Sequence, residues 1–270
     1  MKGFLETACH KFFRELIDFL AGISRYFFLL HRLFSILLFQ RPSWKLVSEQ
    51  MLHIGVLSLP VVLITGFSTG LVLAAQSFFQ LSDKGLASAT GLMVAKGMFT
   101  ELGPVLTAFM LTGRVGSAIC AELGSMRVSE QIDALSSMAV DPLRYLVAPR
   151  FIAGSVMLVP LTVFSNLSGI VGAYLVSIYF FSMAPNGFYD PISEHITHFD
   201  FYSGLFKAFF FGLLITSISC YKGIYSKGGA AGVGRATTSS VVISYSSILL
   251  SNFLLTFLLN ILRISLKRML

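Results

Sequence analysis

The sequence predicts an all-α integral membrane protein with an N-terminal interfacial helix, five transmembrane helices and a short cytoplasmic helix. Only 12% of its 270 residues are charged and 55% are hydrophobic, whereas an average soluble domain carries about 25% charged residues. The mean hydropathy is +0.78. Residues 50–82 and 151–189 contain no charged side chain, and each interval exceeds the roughly 20 residues that a transmembrane helix needs. These observations exclude a water-soluble enzyme and a disordered chain.

The N-terminal region, residues 1–49, differs from a simple transmembrane segment. Residues 12–39 are apolar near helical spacing, but charged side chains interrupt them, among them Arg14, Asp18 and Arg32. A helix with one apolar and one charged face is stable in the membrane interface. We therefore predict amphipathic helices at the cytoplasmic surface for this region, with a membrane span as the alternative.

The transmembrane helices follow from the charge-free intervals and from the residues that end them. The predicted spans cover about residues 52–80, 88–113, 152–181, 202–221 and 237–262. Turn-forming residues at 182–187 are expected to end the third span, and the glycine-rich run 228–234 is expected to form a flexible loop before the fifth. Residues 50–262 then form the transmembrane domain, and residues 263–270 form a basic tail.

The distribution of lysine and arginine predicts the orientation of the spans. Seven lie before the first span, four between the second and third, three between the fourth and fifth, and none between the third and fourth. Because basic residues concentrate in cytoplasmic segments, we place the N-terminus in the cytoplasm. Five spans put the C-terminus outside the cytoplasm, where basic residues are not expected. This conflicts with the three basic residues found there, Arg263, Lys267 and Arg268. The net charge of +7 is mainly an orientation signal and does not indicate nucleic-acid binding.

The chain lacks the motifs of the common catalytic and metal sites, and we predict no catalytic residue and no metal ligand. The phosphate-binding pattern GxxxxGK(S/T) does not occur, so an ATP-driven activity would need a separate subunit. His195 and His198 lie beside Glu194 and Asp200, where we favour a hydrated outer loop over a metal site.

Two charged side chains, Glu101 and Lys207, lie inside the second and fourth predicted spans. A carboxylate inside the bilayer costs several kcal/mol unless it is paired or faces water. Counting residues to the cytoplasmic helix ends places both charges roughly 20 Å from the inner face. Pro104 removes a backbone hydrogen bond near Glu101 and favours a kink there. We predict that the two charges line one cavity; the alternatives are a carboxyl kept for packing and a lysine that reaches outward alone.

A short amphipathic helix is predicted over residues 129–138, after the second span. Ser129 is suited to cap it, and acidic residues in its first turn complement the helix dipole. The residues concerned are Glu130, Gln131 and Asp133 in the first turn, and Ile132, Leu135 and Met138 on the apolar face. Asp141 and Pro142 are expected to end the helix. Such a helix is suited to docking a soluble partner, although a plain interfacial helix has the same pattern.

The segment around this helix resembles the MlaE/YrbE family of ABC-transporter permeases. The resemblance is carried by GRVGSAICAELGSMRVSEQIDAL at residues 113–135, preceded by ELGPVLTAFMLT and followed by MAVDPLRYLVAPR. Residues 66–76 and 232–238 are similar to the first-span and last-loop patterns of that family. The resemblance covers residues 50–262, while residues 1–49 are similar only in character.

The resemblance implies a homodimeric permease within a larger transporter. Its partners would be a cytoplasmic ABC ATPase, a periplasmic MCE-domain lipid-binding protein and a small STAS-domain protein. ATP would be used by the ATPase, and this chain itself would need no cofactor. The cargo would be phospholipid or a related lipid, moved between the inner and outer membranes of a diderm bacterium or, as a weaker alternative, at the inner envelope of a plastid.

The resemblance also implies two groups of functional residues. The lipid cavity would contain Glu101, Lys207, Thr100 and Pro104. The helix that couples the permease to the ATPase would use Glu122, Arg127, Glu130, Gln131, Asp133, Leu135 and Met138. Many members of the family have arginine where this chain has Thr100, so one guanidinium that could bind phosphate is missing here.

Two other classes of function compete with this hypothesis. A proton-coupled secondary transporter could use Glu101 as a proton relay, but the sequence shows no inverted repeat of the kind that such transporters contain. An intramembrane lipid enzyme would need a nucleophile and a base, and Glu101 alone does not supply both.

Overall fold

The computed structural model describes residues 2–39 and 43–269, and this part of the chain contains helices and no strand. The helices are α1 (Lys2–Phe39), α2 (Trp44–Ile54), α3 (Leu59–Ser82), α4 (Thr90–Gly97), α5 (Gly103–Leu111), α6 (Ser117–Val128), α7 (Gln131–Ser137), α8 (Ala148–Tyr179), α9 (Pro185–His195), α10 (His198–Ile224) and α11 (Gly229–Met269). Six stretches are long and apolar enough to cross a membrane: Leu20–Phe39, Trp44–Ser82, Ala87–Val128, Leu143–Tyr179, His198–Ile224 and Gly229–Ser265. The predicted class, an all-α integral membrane protein, is confirmed.

The first of these stretches, in α1, lies across the end of α10 and the start of α8. Near one end, the Gly22 carbonyl accepts a hydrogen bond of 2.9 Å from the Tyr221 hydroxyl, three residues before α10 ends. Further along, the ring of Phe34 packs edge-on against Phe151 in the first turn of α8. Twelve residues of helix extend about 18 Å, yet both contacts lie at the end of the bundle where α10 ends and α8 begins. This course fits an interfacial helix, although the length of α1 also permits a span.

The centre of the bundle is the packing of α3 against α8, where two backbones touch. A side chain on Gly70 would place its Cβ 1.8 Å from the Gly169 carbonyl oxygen, and one on Gly66 would place it 2.5 Å from that of Ser165. Glycine at these positions permits the approach, and dispersion contacts between helices then replace the hydrophobic effect, which is absent within lipid.

The second predicted span is part of a longer helical column, Ala87–Val128, with two π-helical turns. The first turn, Met98–Leu102, contains Glu101 and immediately precedes Gly103 and Pro104. The Gly103 amide bonds back to the Met98 carbonyl, so the irregularity expected beside the proline takes the form of an extra residue in the turn. The 42 residues of the column extend about 60 Å. The column is therefore longer than the roughly 30 Å hydrocarbon core of a bilayer.

The prediction that Ser129 caps the short cytoplasmic helix is wrong. The chain turns one residue later, at Glu130, whose φ of 59° is left-handed, and α7 starts at Gln131. The Ser129 hydroxyl instead donates to the Ser125 carbonyl, 2.8 Å away in α6. The expectation that Asp141 and Pro142 end this helix is also wrong, because α7 ends at Ser137. The Asp141 carboxylate accepts a hydrogen bond from the Leu143 amide at 3.0 Å. It thus belongs to the start of the next helical stretch.

Two expected loops are mostly helical. Within residues 182–187 the non-helical part ends at Ala184, and α9 begins at Pro185, so the outer segment holds a helix where a hydrated loop was expected. Residues 228–234 were expected to form a flexible loop, but α11 begins at Gly229. Left-handed backbone is confined to Gly228 and Gly229 in this run, and the later glycines continue the helix.

The expected basic tail continues α11 as far as Met269. Arg263 lies inside the helix and pairs with Asp200 at 3.1 Å, so its charge has a structural partner at the outer side of the bundle. The side chains of Lys267 and Arg268 lie outside the described residues, as do those of Lys2, Lys11, Arg14 and Arg41.

Substituting Gly70 tests the close packing of α3 and α8. We expect Gly70→Ala to lower the free energy of unfolding by about 1–3 kcal/mol, because its Cβ cannot fit against α8. The measurement is the melting temperature of detergent-purified protein by size-exclusion chromatography after heating. Gly97→Ala is the matched control, since its Cβ would meet only Leu102, at 3.8 Å. A melting temperature for Gly70→Ala equal to that of Gly97→Ala would contradict the packing.

Candidate functional site

A cluster of charged and polar side chains joins three helical elements of the bundle. The Lys207 ammonium donates to the Glu101 carboxylate oxygen Oε1 at 2.6 Å, to the Thr100 carbonyl at 3.0 Å and to the Thr256 hydroxyl at 2.8 Å. Lys207 is only 2% exposed, whereas Glu101 is 35% exposed. All three ammonium donors therefore have partners, as a charged lysine within a membrane protein requires.

The carboxylate of Glu101 is held on both oxygens. Asn252 donates to its Oε2 at 3.0 Å, and the Thr256 hydroxyl lies 2.9 Å from its Oε1. Asn252 and Thr256 are four residues apart on α11 and so lie on one face of that helix. The cluster thereby connects the π-helical turn, α10 and α11.

A second ion pair lies closer to the outer end of the same helices. Asp200 accepts from Arg263 at 3.1 Å and also from the Thr197 amide and hydroxyl, at 3.1 and 2.8 Å. The contacts with Thr197 form a capping box that begins α10. Asp200 thus ends up 2% exposed, with its charge shared between a helix N-terminus and a guanidinium.

The two ion pairs line one cavity of about 120 Å³. Its charged lining residues are Lys96, Glu101, Asp200, Lys207 and Arg263. These carry three positive and two negative charges, and in the part of the chain that the structure describes Lys96 lies within 4.0 Å of no carboxylate. The cavity therefore has an excess of positive charge that an anionic group such as a phosphate can balance.

The structure brings together three of the four residues predicted for the lipid cavity. Glu101, Lys207 and Thr100 all line the cavity between the two ion pairs. Pro104 is buried beside Gly204, where a Cβ would lie 3.4 Å from the proline ring and 1.9 Å from the Phe99 carbonyl oxygen. Gly204 therefore lets α10 approach, and Pro104 follows the π-helical turn.

Sequence reasoning missed Asn252 and Thr256, together with the Asp200–Arg263 pair. The only available signal for the first two was their i, i+4 spacing in an otherwise apolar span, which many buried polar pairs share. Asp200 and Arg263 were interpreted as a loop charge and an orientation signal, because their contact is made between residues 63 positions apart.

The residues predicted for coupling divide into two sets. Glu122 pairs at 3.0 Å with Arg150, which is 7% exposed, and so connects α6 to α8. Arg127 pairs with Asp133 at 2.5 Å and connects the end of α6 to α7.

The remaining coupling residues lie on or beside α7. Glu130, Gln131 and Met138 are exposed, and Leu135 is half-buried. The structure thus presents Glu130, Gln131 and Met138 on the surface, whereas Glu122 lies apart from them in a contact between helices.

Comparison with known proteins adds evidence that is independent of this geometry. A family model described as permease MlaE matches residues 47–258. A "Probable ABC transporter permease protein" of Rickettsia felis is 45% identical over 212 residues, which cover 78% of this chain and 82% of that protein. A protein of Synechocystis with a similar name is 38% identical, with 86% and 89% covered. The "Intermembrane phospholipid transport system permease protein MlaE" of Haemophilus influenzae is 34% identical, with 90% and 94% covered.

Removing one or both members of the Glu101–Lys207 pair tests its role in stability. We expect Glu101→Gln to cost about 3 kcal/mol of unfolding free energy, because it leaves the deeply buried lysine uncompensated. Lys207→Met should cost less, since Glu101 is partly exposed, and the double variant should recover most of the loss. Melting temperatures in one detergent provide the measurement, with Glu194→Gln on exposed α9 as the control. Additive losses in the double variant would show that the two charges do not depend on each other.

Proposed function

The chain belongs to the MlaE permease family, and from this premise we propose that it is the membrane subunit of an ABC transporter for phospholipids or related lipids. The transporter moves these lipids between the inner and outer membranes of a diderm bacterium, with this chain as a multi-pass protein of the inner membrane. The observation that carries the proposal is the cavity around Glu101 and Lys207, a charged site within an otherwise apolar bundle.

The cavity has the chemistry that a phospholipid headgroup requires. Lys96 and Arg263 supply positive charge towards the outer end of the site, and the half-exposed carboxylate of Glu101 can accept hydrogen bonds from ammonium or hydroxyl groups of a headgroup. With threonine at position 100, Lys96 is positioned one helical turn earlier on the same side of the column. We propose that Lys96 supplies part of the charge that an arginine at position 100 would provide.

The apolar surface beside the cavity supports a homodimer that encloses lipid. Only 11% of the α11 stretch is buried, and Leu250, Phe253 and Phe257 form an exposed apolar stripe on it. Their i, i+3, i+7 spacing places these side chains on one helix face. In this proposal a second copy covers part of the stripe, and acyl chains occupy the rest.

The energy source is a separate cytoplasmic ABC ATPase, since the chain has no phosphate-binding loop of its own. We propose that α7 docks on that ATPase. The Arg127–Asp133 ion pair joins α7 to α6, and Glu122–Arg150 joins α6 to α8, so a movement of α7 is passed to the transmembrane helices. On the opposite side of the membrane, a periplasmic MCE-domain protein receives or delivers the lipid. A STAS-domain protein binds the ATPase on the cytoplasmic side.

The docking of α7 can be tested by reversing its exposed charge. We expect Glu130→Lys with Gln131→Lys to reduce co-purification of the ATPase at least tenfold and to abolish ATP-dependent lipid transfer in proteoliposomes, because the partner's contact surface is lost. The control is Glu194→Lys, a charge reversal on exposed α9 at the outer side.

Two results would contradict the proposal. One is wild-type coupling in the α7 variant at equal expression and melting temperature. The other is lipid transfer that follows a proton gradient and proceeds without the ATPase.

A further inference from the structure

A second polar site lies at the cytoplasmic end of the bundle, far from the Glu101–Lys207 cluster. Two cavities adjoin there, between α1, α10 and α11, and Tyr221 and Lys222 line both of them. Lys222 follows Lys207 by fifteen residues on α10, which corresponds to about 22 Å along the helix. The two sites are therefore separate.

The first of the two cavities is apolar and extends into the membrane. It has a volume of about 440 Å³, and its lining includes Ile23, Leu214, Ile218 and Ile243. From Lys222 to Leu214 it follows two turns of α10, or about 12 Å in the direction of the bilayer centre. Such a cavity has the shape and the lining that part of an acyl chain can fill.

The second cavity is basic and lies at the membrane surface. Its volume is about 390 Å³, and Arg25, Lys222, Lys227 and Arg235 all line it. No aspartate or glutamate is among the described residues of its lining. The same four cations also appear in none of the ion pairs within the described part of the chain.

The glycine-rich turn before α11 gathers these cations. Gly228 and Gly229 have φ of 92° and 64°, a backbone that reverses the chain sharply and that other residues rarely adopt. A Cβ on Gly232 would lie 1.9 Å from the Lys227 carbonyl oxygen, so only glycine lets the first turn of α11 approach Lys227. Arg235, one turn further along α11, is thereby brought to the same cavity as Lys227.

Two other groups favour an anion at this place. The hydroxyl of Ser226 is buried in the lining and has no hydrogen-bond partner among the described residues. The cavity also lies beside the N-terminal turns of α11, where the helix dipole is positive. Four neighbouring cations repel each other until a counter-charge enters.

We propose that the joined cavities bind one anionic lipid from the cytoplasmic leaflet. Its headgroup phosphate lies among Arg25, Lys222, Lys227 and Arg235, and one acyl chain enters the apolar cavity under α1. A free phosphate would use only the basic half, and an acidic protein surface would reach only its rim; a lipid uses both. The hydrogen bonds from Tyr26 to Ser217 and from Tyr221 to Gly22, at 2.8 and 2.9 Å, hold α1 over the site. Lipid binding there would stabilise the attachment of α1.

The test is native mass spectrometry of the delipidated full chain with phosphatidylglycerol or phosphatidylcholine at equal concentration. We expect the chain to bind phosphatidylglycerol at least tenfold more tightly, and Lys227→Gln with Arg235→Gln to remove that preference. Lys45→Gln with Lys84→Gln, which removes the same charge from exposed positions outside the site, should leave the preference unchanged. Ile243→Trp fills the apolar cavity and should weaken phosphatidylglycerol binding about tenfold while the basic cavity stays intact.

Several outcomes would overturn the proposal. Phosphatidylglycerol binding unaffected by Ile243→Trp, or displaced completely by millimolar inorganic phosphate, would indicate an anion site without an acyl chain. A charge variant that loses the ATPase but keeps its lipid preference would assign the basic surface to a protein partner. The measurement uses no ATP, and the variants at Lys227, Arg235 and Ile243 leave the Glu101–Lys207 cavity intact. Loss of their effect would therefore overturn this proposal without bearing on the proposed transport function.

Discussion

Within the hydrocarbon of a bilayer, every polar group must find its partner inside the protein, and this constraint governs the structure. It confines the described chain to helices, because only a helix satisfies the hydrogen bonding of its backbone N–H and C=O groups within one segment. It also explains the detail around Glu101. The π-helical turn before Pro104 displaces the backbone, the Thr100 carbonyl meets the ammonium of Lys207, and α11 supplies Asn252 and Thr256. The ammonium of Lys207 and both carboxylate oxygens of Glu101 thus have partners inside the protein.

The same cluster joins a tightly packed part of the bundle to a loosely packed one. The glycine contacts between α3 and α8 form a rigid centre, whereas the α11 stretch is largely uncovered by the rest of the chain. The hydrogen bond from Asn252 to Glu101 and the one from Lys207 to Thr256 are among the polar contacts that hold α11 against the core. An occupant that competes for those hydrogen bonds would loosen α11, so the position of this helix and the occupancy of the cavity are coupled.

Charge also marks both ends of the bundle, with different geometry at each. Around Glu101 and Asp200 each carboxylate is paired with a cation, and Lys207 and Asp200 are each 2% exposed. At the cytoplasmic end four cations share one basic cavity without a carboxylate in its described lining, which suits a lasting counter-ion from the membrane. The glycine turn before α11 brings Lys227 and Arg235 to that basic cavity.

The amino-acid sequence alone was enough to predict the membrane class, the approximate spans and the pairing of Glu101 with Lys207. The membrane class and the spans depend on local composition. The pairing could be predicted because two opposite charges lie at equal depth and an unpaired charge within the bilayer is costly. The same information could not find Asn252, Thr256 or the Asp200–Arg263 pair, and it misplaced the start of α7 and of α11. Those features depend on which helix lies beside which, and on backbone turns at Glu130 and Gly228. Such choices are made by packing between residues distant in the chain, and no local pattern encodes them.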